Sequence, residues 1–332
     1  MNLAQVDQIA KAVLYEGYML YPYRPSSVKN QQRWNFGVLH AQAYSDAQGG
    51  EEPCSMRTEC LICGSTDTTL EAKLRFLQLR TRSTSQAGAG QAQSPPDGWQ
   101  EAVERDVSLP EVRLERLISE PVRHRFVSPA ETQCATEPRS GGDEIVVRRQ
   151  SEVCGDLESK AEQLRDNLFK VTIEVRNTTS LENPASSRDE ALMQSLVSTH
   201  AILGVEGGEF ISLLEPPDEF QQLAAECQNV GAWPVLVGEP GQRDTMLASP
   251  IILYDYPQIA AESPGDLFDG TEIDEILSLR IMTLTDEEKR EIRQSDERAS
   301  QILERTETMP VEQFMKLHGV LRSLRPCKEI TQ

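Results

Sequence analysis

Residues 168–177 alternate strictly between apolar and polar side chains, and this pattern commits the region to a β-sheet. The residues expected to face a core are Phe169, Val171, Ile173 and Val175. A repeat of two is the side-chain period of a strand, so the alternation predicts a strand with one buried face. Weaker alternation recurs over 70–80, 111–127 and 144–153. Several such strands must share a sheet to cover their apolar faces.

The order of these patterns predicts an α+β fold in two domains. Residues 1–180 read as a β-rich domain, an antiparallel sandwich or barrel that follows an N-terminal helix over 3–19. Polar stretches with Gly and Pro at 81–98 and 132–143 are predicted loops. Residues 181–332 read as a mixed α/β domain. Its predicted elements are strands at GGEFISLL, WPVLVG and SPIILYDYP, and helices at 189–203, 217–229, 272–282, 286–306 and 311–324.

Two helix starts carry a recognisable capping sequence. Ser187 precedes a predicted helix and is followed three residues later by Glu190. Thr285 stands in the same relation to Glu288. Such Ser/Thr–Glu pairs satisfy free backbone N–H groups at a helix N-terminus.

The charge of the chain argues against several classes of partner. In 332 residues, 33 Lys and Arg stand against 53 Asp and Glu, a formal net charge of -20. This balance disfavours nucleic acid and anionic membranes as main partners. No apolar run reaches the ~18 residues of a membrane span, and the N-terminus lacks the pattern of a secretory signal. We therefore expect a soluble, cytoplasmic protein with no nucleic acid partner and no membrane span.

The acidic residues are concentrated in the second half of the chain. Residues 1–180 carry 25 acidic and 21 basic side chains, whereas 181–332 carry 28 and 12. Residues 206–275 hold 15 acids and a single base, Arg243. A region of this kind is either a solvated surface or a surface for a basic partner or a cation.

Six acids and one tryptophan in this region are candidate partner-binding residues. They are Trp233, Asp255, Asp266, Asp269, Glu272, Asp274 and Glu275. Asp255 follows an apolar run, and the later acids crowd a loop and a helix start. Three explanations are open: acids that offset a helix dipole, a partner-binding surface, or an oxygen-ligand site for a divalent cation. The last would make Asp255, Asp266 and Asp269 the centre of a metal-dependent enzyme, with Glu272 as a further ligand.

The cysteines offer a second, weaker metal candidate. Cys60 and Cys63 form a CxxC sequence, with Cys54 nearby and His40 available as a fourth ligand. Thiolates at this spacing bind zinc, but structural sites usually supply a second close pair, which this chain lacks. The seven cysteines are an odd number, which favours reduced thiols that act as small apolar residues.

No motif in the sequence indicates catalysis or nucleotide binding. Ser195 and His200 are five residues apart, a spacing that does not bring them together on a helix, and no nucleophile elbow surrounds the serine. Glycine-rich phosphate-binding motifs are also missing. The residues therefore require no cofactor, and they assign no catalytic role.

Several strings resemble a bacterial protein family. They are AVLYEGYMLYPYR, RWNFGVL, VSTHAIL, WPVLVG and SPIILYDYPQIAAESPGDLFDGTEIDEILSLRIMTLTDEEK. The chain resembles an uncharacterised family encoded in gene clusters of high-affinity [NiFe]-hydrogenases, most specifically over 10–39 and 190–290. The resemblance implies a role in hydrogenase maturation or assembly, and it assigns no catalytic residue.

Two functions follow as hypotheses. The first is a non-enzymatic accessory protein that binds a protein partner, a hydrogenase subunit or maturation factor, through its acidic half. The second is a divalent-metal-dependent enzyme that uses the acids around 255–275.

Overall fold

The structure, a computed structural model, describes residues 3–24, 26–86, 100–139, 142–259, 263, 265, 267, 274–295 and 297–317. Its backbone contacts divide the chain into two compact units. The β unit comprises 1–15 and 34–258, and the helical unit comprises 16–33 and 259–332.

The β unit contains two antiparallel sheets. The five-stranded sheet has the order β11–β1–β9–β8–β5. Its strands are β1 (Ser55–Cys63), β5 (Val122–Ser128), β8 (Val153–Arg165), β9 (Leu168–Asn177) and β11 (Glu209–Ile211). The eight-stranded sheet has the order β12–β13–β10–β2–β7–β6, with β3 and β4 also paired to β2. Its strands are β2 (Thr69–Gln86), β3 (Gln100–Ser108), β4 (Val112–Arg113), β6 (Glu131–Arg139), β7 (Gly142–Gln150), β10 (Val197–Glu206), β12 (Trp233–Leu236) and β13 (Thr245–Ser249).

The 18-residue strand β2 organises the larger sheet. Its first half pairs with β10 on one side and β3 on the other. Its second half passes β10 and pairs with β7 instead. Strands from both sides of residue 180 therefore pair directly, β2 with β10 and β1 with β11.

The main core lies between the two sheets. It joins apolar side chains of β2 and β10, such as Leu74 and Leu203, to those of β1 and β9, such as Ile62 and Phe169. This arrangement is a sandwich, and the alternation over 168–177 supplies one of its inner faces. Strand β9 spans the predicted residues, and its apolar positions are buried.

Short helices cover parts of the outer faces. Helix α1 (Leu3–Leu14) packs on the larger sheet, where Val6 and Ile9 contact Ile202 and Leu247. Beside this contact, Arg75 of β2 binds Asp7 of α1 at 3.0 Å and Asp106 of β3 at 2.8 Å. The other helices of this unit are α2 (Gln42–Ala47), α3 (Leu114–Ser119), α4 (Arg188–Leu192) and α5 (Gln221–Ala225).

The described part of the helical unit contains the segment 16–33 and four α-helices. The helices are α6 (Asp274–Met282), α7 (Asp286–Ser295), α8 (Glu297–Glu307) and α9 (Val311–Leu317). Tyr23 anchors the segment because its buried hydroxyl donates to the carbonyl of Leu267 at 2.6 Å. Arg24 pairs with Glu288 at the start of α7.

The predicted α+β class is confirmed, since antiparallel sheets dominate and helices follow toward the C-terminus. Among the described residues, no helix has the length and apolar character needed to cross a bilayer. Both predicted capping boxes form. Glu190 accepts from the backbone of Ser187, and Glu288 accepts from the backbone of Thr285.

Several predicted elements were wrong. Residues 132–143 are not a loop, because β6 and β7 occupy all but 140–141, which lie outside the described residues. Within the predicted loop 81–98, residues 81–86 belong to β2, and 87–98 are not described. Residues 197–202 are strand β10 rather than helix. Every residue of β10 up to Val205 is buried, so no alternation marks it as a strand.

Candidate functional site

The structure describes four of the seven predicted partner-binding residues. Trp233 and Asp255 lie in the β unit, and Asp274 and Glu275 lie at the start of α6 in the helical unit. The carboxylate of Asp274 accepts a hydrogen bond from Ser263 at 2.7 Å, so it stabilises the chain before its own helix. Asp266, Asp269 and Glu272 lie outside the described residues.

Asp255 closes the outer edge of β12, the last strand of the larger sheet. Its Oδ1 accepts from the backbone N–H of Leu236 at 2.8 Å, and its Oδ2 accepts from the hydroxyl of Ser212 at 2.5 Å. The N–H of Tyr256 donates to the carbonyl of Leu236 at 2.7 Å. Pro234, two residues earlier on the same edge, has no N–H to offer. The edge is therefore blocked against addition of another strand.

Five large apolar side chains are exposed around this blocked edge. We call them the β12 surface: Leu214 (50% exposed), Val230 (59%), Trp233 (42%), Ile252 (73%) and Tyr254 (87%). Leu214 donates its N–H to Ser212, which in turn binds Asp255, the neighbour of Tyr254. Trp233 lies on β12 opposite Ser249, and Ser249 shortly precedes Ile252 in the chain. Several exposed apolar side chains on neighbouring segments are typical of an interaction site.

The β12 surface lies in the most acidic part of the β unit. Residues 206–258 contain nine acids and one base, Arg243. The exposed acids are Glu206, Glu209, Glu215, Asp218, Glu219, Glu226 and Glu239. The arrangement can hold an apolar contact by burial and attract a positively charged surface to it.

A Ser–His–Glu cluster that the sequence did not predict lies elsewhere in the β unit. The Nδ1 of His40 lies 3.0 Å from the hydroxyl of Ser195, and its Nε2 lies 3.3 Å from a carboxylate oxygen of Glu52. Because 155 residues separate His40 from Ser195, no sequence spacing could reveal the contact. Burial lowers the pKa of His40, the nearby Glu52 opposes that change, and Arg188 adds to it.

The geometry of this cluster indicates a structural role rather than a catalytic one. Ser195 and His40 are fully buried, so no substrate can approach the hydroxyl. The hydroxyl of Ser195 also lies 2.8 Å from the carbonyl of Ala191, which competes for its only proton. The three side chains join the 40–52 segment to the chain that enters β10. His200, the other histidine considered with Ser195, instead contacts the carbonyl of Ser198 at 2.7 Å.

The CxxC cysteines lie on opposite faces of β1. Cys60 packs in the core between the sheets, and Cys63 packs with Leu61 and Leu168 on the outer face. Residues three apart on a strand point in opposite directions, so the two thiols do not converge. Burial raises the pKa of Cys60 and of Cys63, and raises that of Cys227 to about 11. Within the described ranges, no group of three or more His, Cys, Asp or Glu side chains is placed to hold a metal.

The chain matches no protein-family model and no curated protein.

Proposed function

We propose that this chain is a non-enzymatic accessory protein that binds a basic protein partner through the β12 surface. The observation that carries the proposal is the presence of five exposed apolar side chains on β12 and the segments that flank its blocked edge, within the most acidic segment of the β unit. Because the edge is blocked, the partner contacts side chains and does not add a strand to the sheet.

Trp233 and Tyr254 would contribute most of the binding energy. Tryptophan and tyrosine are enriched among the few interface residues whose loss costs ~2 kcal/mol or more. Burial of apolar area stabilises a complex by about 25 cal/mol per Å², before the cost of association. The surrounding acids would raise the association rate with a basic partner and make binding sensitive to salt.

The family resemblance gives this proposal its partner class. The strings WPVLVG and SPIILYDYP, which carry part of the resemblance, contain Trp233, Ile252 and Tyr254 of the β12 surface. The proposed partner is therefore a [NiFe]-hydrogenase subunit or maturation factor that presents a basic surface in the bacterial cytoplasm.

The proposal is tested by retention of partners from a hydrogenase-expressing bacterial host. We expect Trp233→Ala with Tyr254→Ala to reduce retention of a hydrogenase component about tenfold or more, since Trp233 is 42% exposed and Tyr254 is 87% exposed in the free protein. Val127→Ala, a change to a side chain 60% exposed on β5, is the matched control and should retain the partner. Retention should also fall as salt rises from 50 to 500 mM.

Equal recovery of the same components by the double variant and the Val127→Ala control would contradict the proposal. Circular dichroism of each variant separates loss of the surface from loss of the fold.

A further inference from the structure

Strand β6 forms the far edge of the larger sheet and is exposed on both faces. Residues 131–136 are all exposed, so neither face of this part of β6 packs against the described core. No described residue pairs with the outer edge of β6. An unpaired edge presents a row of free N–H and C=O groups that another strand can bind.

The register identifies which residues of β6 point outward. The side chains of Thr81 and Ser83 donate to the carbonyls of Arg149 and Val147, so these positions of β7 face β2. The alternate positions of β7, which are 146, 148 and 150, therefore face β6. They form backbone hydrogen bonds with the residues opposite them, which are 135, 133 and 131. The outward positions of β6 are Thr132, Cys134, Thr136 and Pro138. Pro138 has no N–H, and at an outward position it costs no hydrogen bond of the hairpin.

Pro138 protects one end of the outward edge, but the residues from Thr132 to Thr136 lack the usual protection against pairing. The sequence from Thr132 to Thr136 is TQCAT, with no charged residue and no proline. Natural edge strands are normally blunted by lysine, proline, a bulge or a covering segment. The edge of the same sheet at β12 is closed by Asp255 and Tyr256. Strand β3 pairs only with β2 among the described residues, but its sequence QEAVERDVS is highly charged. Among these edge strands, β6 is therefore the one whose described outer edge is both unpaired and free of charge from Thr132 to Thr136.

We infer that β6 pairs antiparallel with β6 of a second copy of this chain, centred on Cys134. In this register outward positions meet outward positions: Cys134 lies opposite Cys134 of the second copy, and Thr132 lies opposite Thr136. About six N–H···O bonds then join two eight-stranded sheets into one. Threonine pairs across strands are favourable, and the arrangement uses the same patch on both copies, as a twofold dimer requires.

Charge favours this site for self-association. The chain carries a net charge of -20, so two copies repel each other across most of their surfaces. Residues 131–150 hold four acids and three bases, which makes the hairpin almost neutral. A second copy therefore meets less repulsion here than at the β12 surface. Salt screens the remaining repulsion and should strengthen the dimer, whereas it should weaken the proposed binding at the β12 surface.

Sedimentation velocity over a concentration series tests the dimer. We expect the wild-type chain to move from monomer to dimer with concentration, and more readily at 500 mM than at 50 mM salt. Thr136→Pro removes an outward N–H that no described residue accepts, and it should weaken the dimer at least tenfold. Thr136→Val keeps the N–H and the β-branched shape, and should dimerise like wild type. A chain that stays monomeric at all concentrations, or a folded Thr136→Pro variant that dimerises like wild type, overturns the inference.

Cysteine cross-linking tests the register without relying on the proline variant. Residues opposite each other in a hydrogen-bonded antiparallel pair have Cα atoms ≈ 5.5 Å apart, within the range that a disulfide spans. Copper–phenanthroline, which takes up the two electrons, should link wild-type chains through Cys134. Cys134→Ser, which keeps the other six cysteines, should abolish the covalent dimer.

Moving the thiol to another outward position then tests whether the two β6 strands pair about residue 134. In the Cys134→Ser background, Thr132→Cys alone should not cross-link, because its opposite residue is Thr136. Adding Thr136→Cys should restore the cross-link. Equal cross-linking by all these variants would indicate random collision and would overturn the inference.

Discussion

His200 is a titratable side chain held without charge inside the fold. It is fully buried on β10, and its Nδ1 donates to the carbonyl of Ser198, which leaves Nε2 as the unprotonated nitrogen. Nε2 has no hydrogen-bond partner among the described residues. Burial, opposed by the hydrogen bond to the Ser198 carbonyl and aided by the guanidinium of Arg75, lowers the pKa of His200 to about 4.

This histidine should make the protein less stable as the pH falls below 6.5. An unfolded histidine takes up a proton near pH 6.5, whereas folded His200 does not until about pH 4. The free energy of unfolding should therefore drop between these values, by about 1.4 kcal/mol per pH unit at most. His200→Asn loses packing at both pH values and carries no proton linkage at this position, so its deficit against wild type at pH 7.5 should shrink by about 1 kcal/mol at pH 5.5.

Urea unfolding at the two pH values measures the change. Val127→Ala, which changes an exposed side chain that does not titrate, is the control and should keep a constant difference from wild type. A constant difference for His200→Asn as well would mean that His200 carries no such linkage.

At the scale of elements, the pairing of β5 with β8 depends on a glycine. Gly155 lies opposite Phe126 in this ladder, and a Cβ at 155 would overlap the phenylalanine ring. The ring therefore occupies the space above the glycine and continues the core to the edge of the five-stranded sheet. A side chain at 155 and the ring at 126 cannot both keep their positions.

Gly155→Ala should destabilise the protein by about 1–3 kcal/mol, because the added methyl group displaces a packed ring. Phe126→Leu alone should also destabilise it, through loss of core contacts. The two changes combined should cost clearly less than the sum of the single costs, since the smaller side chain leaves room for the methyl group. Urea unfolding of the four proteins measures this coupling, and additive costs would argue against the contact.

The elements that the sequence predicted well are those with one face inside and one outside. Strand β9 alternates, and both capping boxes are local patterns of four residues. Strand β10 is buried throughout and β6 is exposed on both faces, so neither alternates and both were missed. The spacing of Trp34, Phe36 and Val38 also predicts a strand, but Trp34 has φ 63° and Gly37 has φ 54°, so this segment turns rather than extends.

The candidate site was predictable only in part, for a similar reason. Composition located the acidic segment, and Trp233 and Asp255 were chosen within it. The apolar run at 250–254 predicted a buried strand, yet Pro250 follows the end of β13, and Ile252 and Tyr254 are exposed. Hydrophobicity alone cannot tell a buried strand from an exposed apolar surface. The contacts of Ser212 and Leu236 with Asp255 join distant parts of the chain and leave no local pattern.

At the scale of the whole molecule, the change in charge near residue 180 does not coincide with a boundary between structural units. The near-neutral residues before 180 and the acidic residues after it both contribute strands to each sheet. Strand β10 lies between β13 and β2, so the acidic half supplies an interior strand of the larger sheet. Pairings between segments more than 100 residues apart, such as β1 with β9, also predict slow folding.

This topology predicts that the chain stays together after a cut near residue 180. Residues 182–185 form an exposed stretch before Ser187, where a specific protease site should be tolerated. After cleavage, the ladders of β2 with β10 and of β1 with β11 still join the two fragments, and both contribute to the core between the sheets. Size-exclusion chromatography should return both fragments in one peak with the secondary structure of the uncut protein.

When expressed alone, residues 1–180 should not fold, because β2 lacks β10 and its apolar face is uncovered. Two separate folded fragments would instead support the division at residue 180 that the sequence predicts.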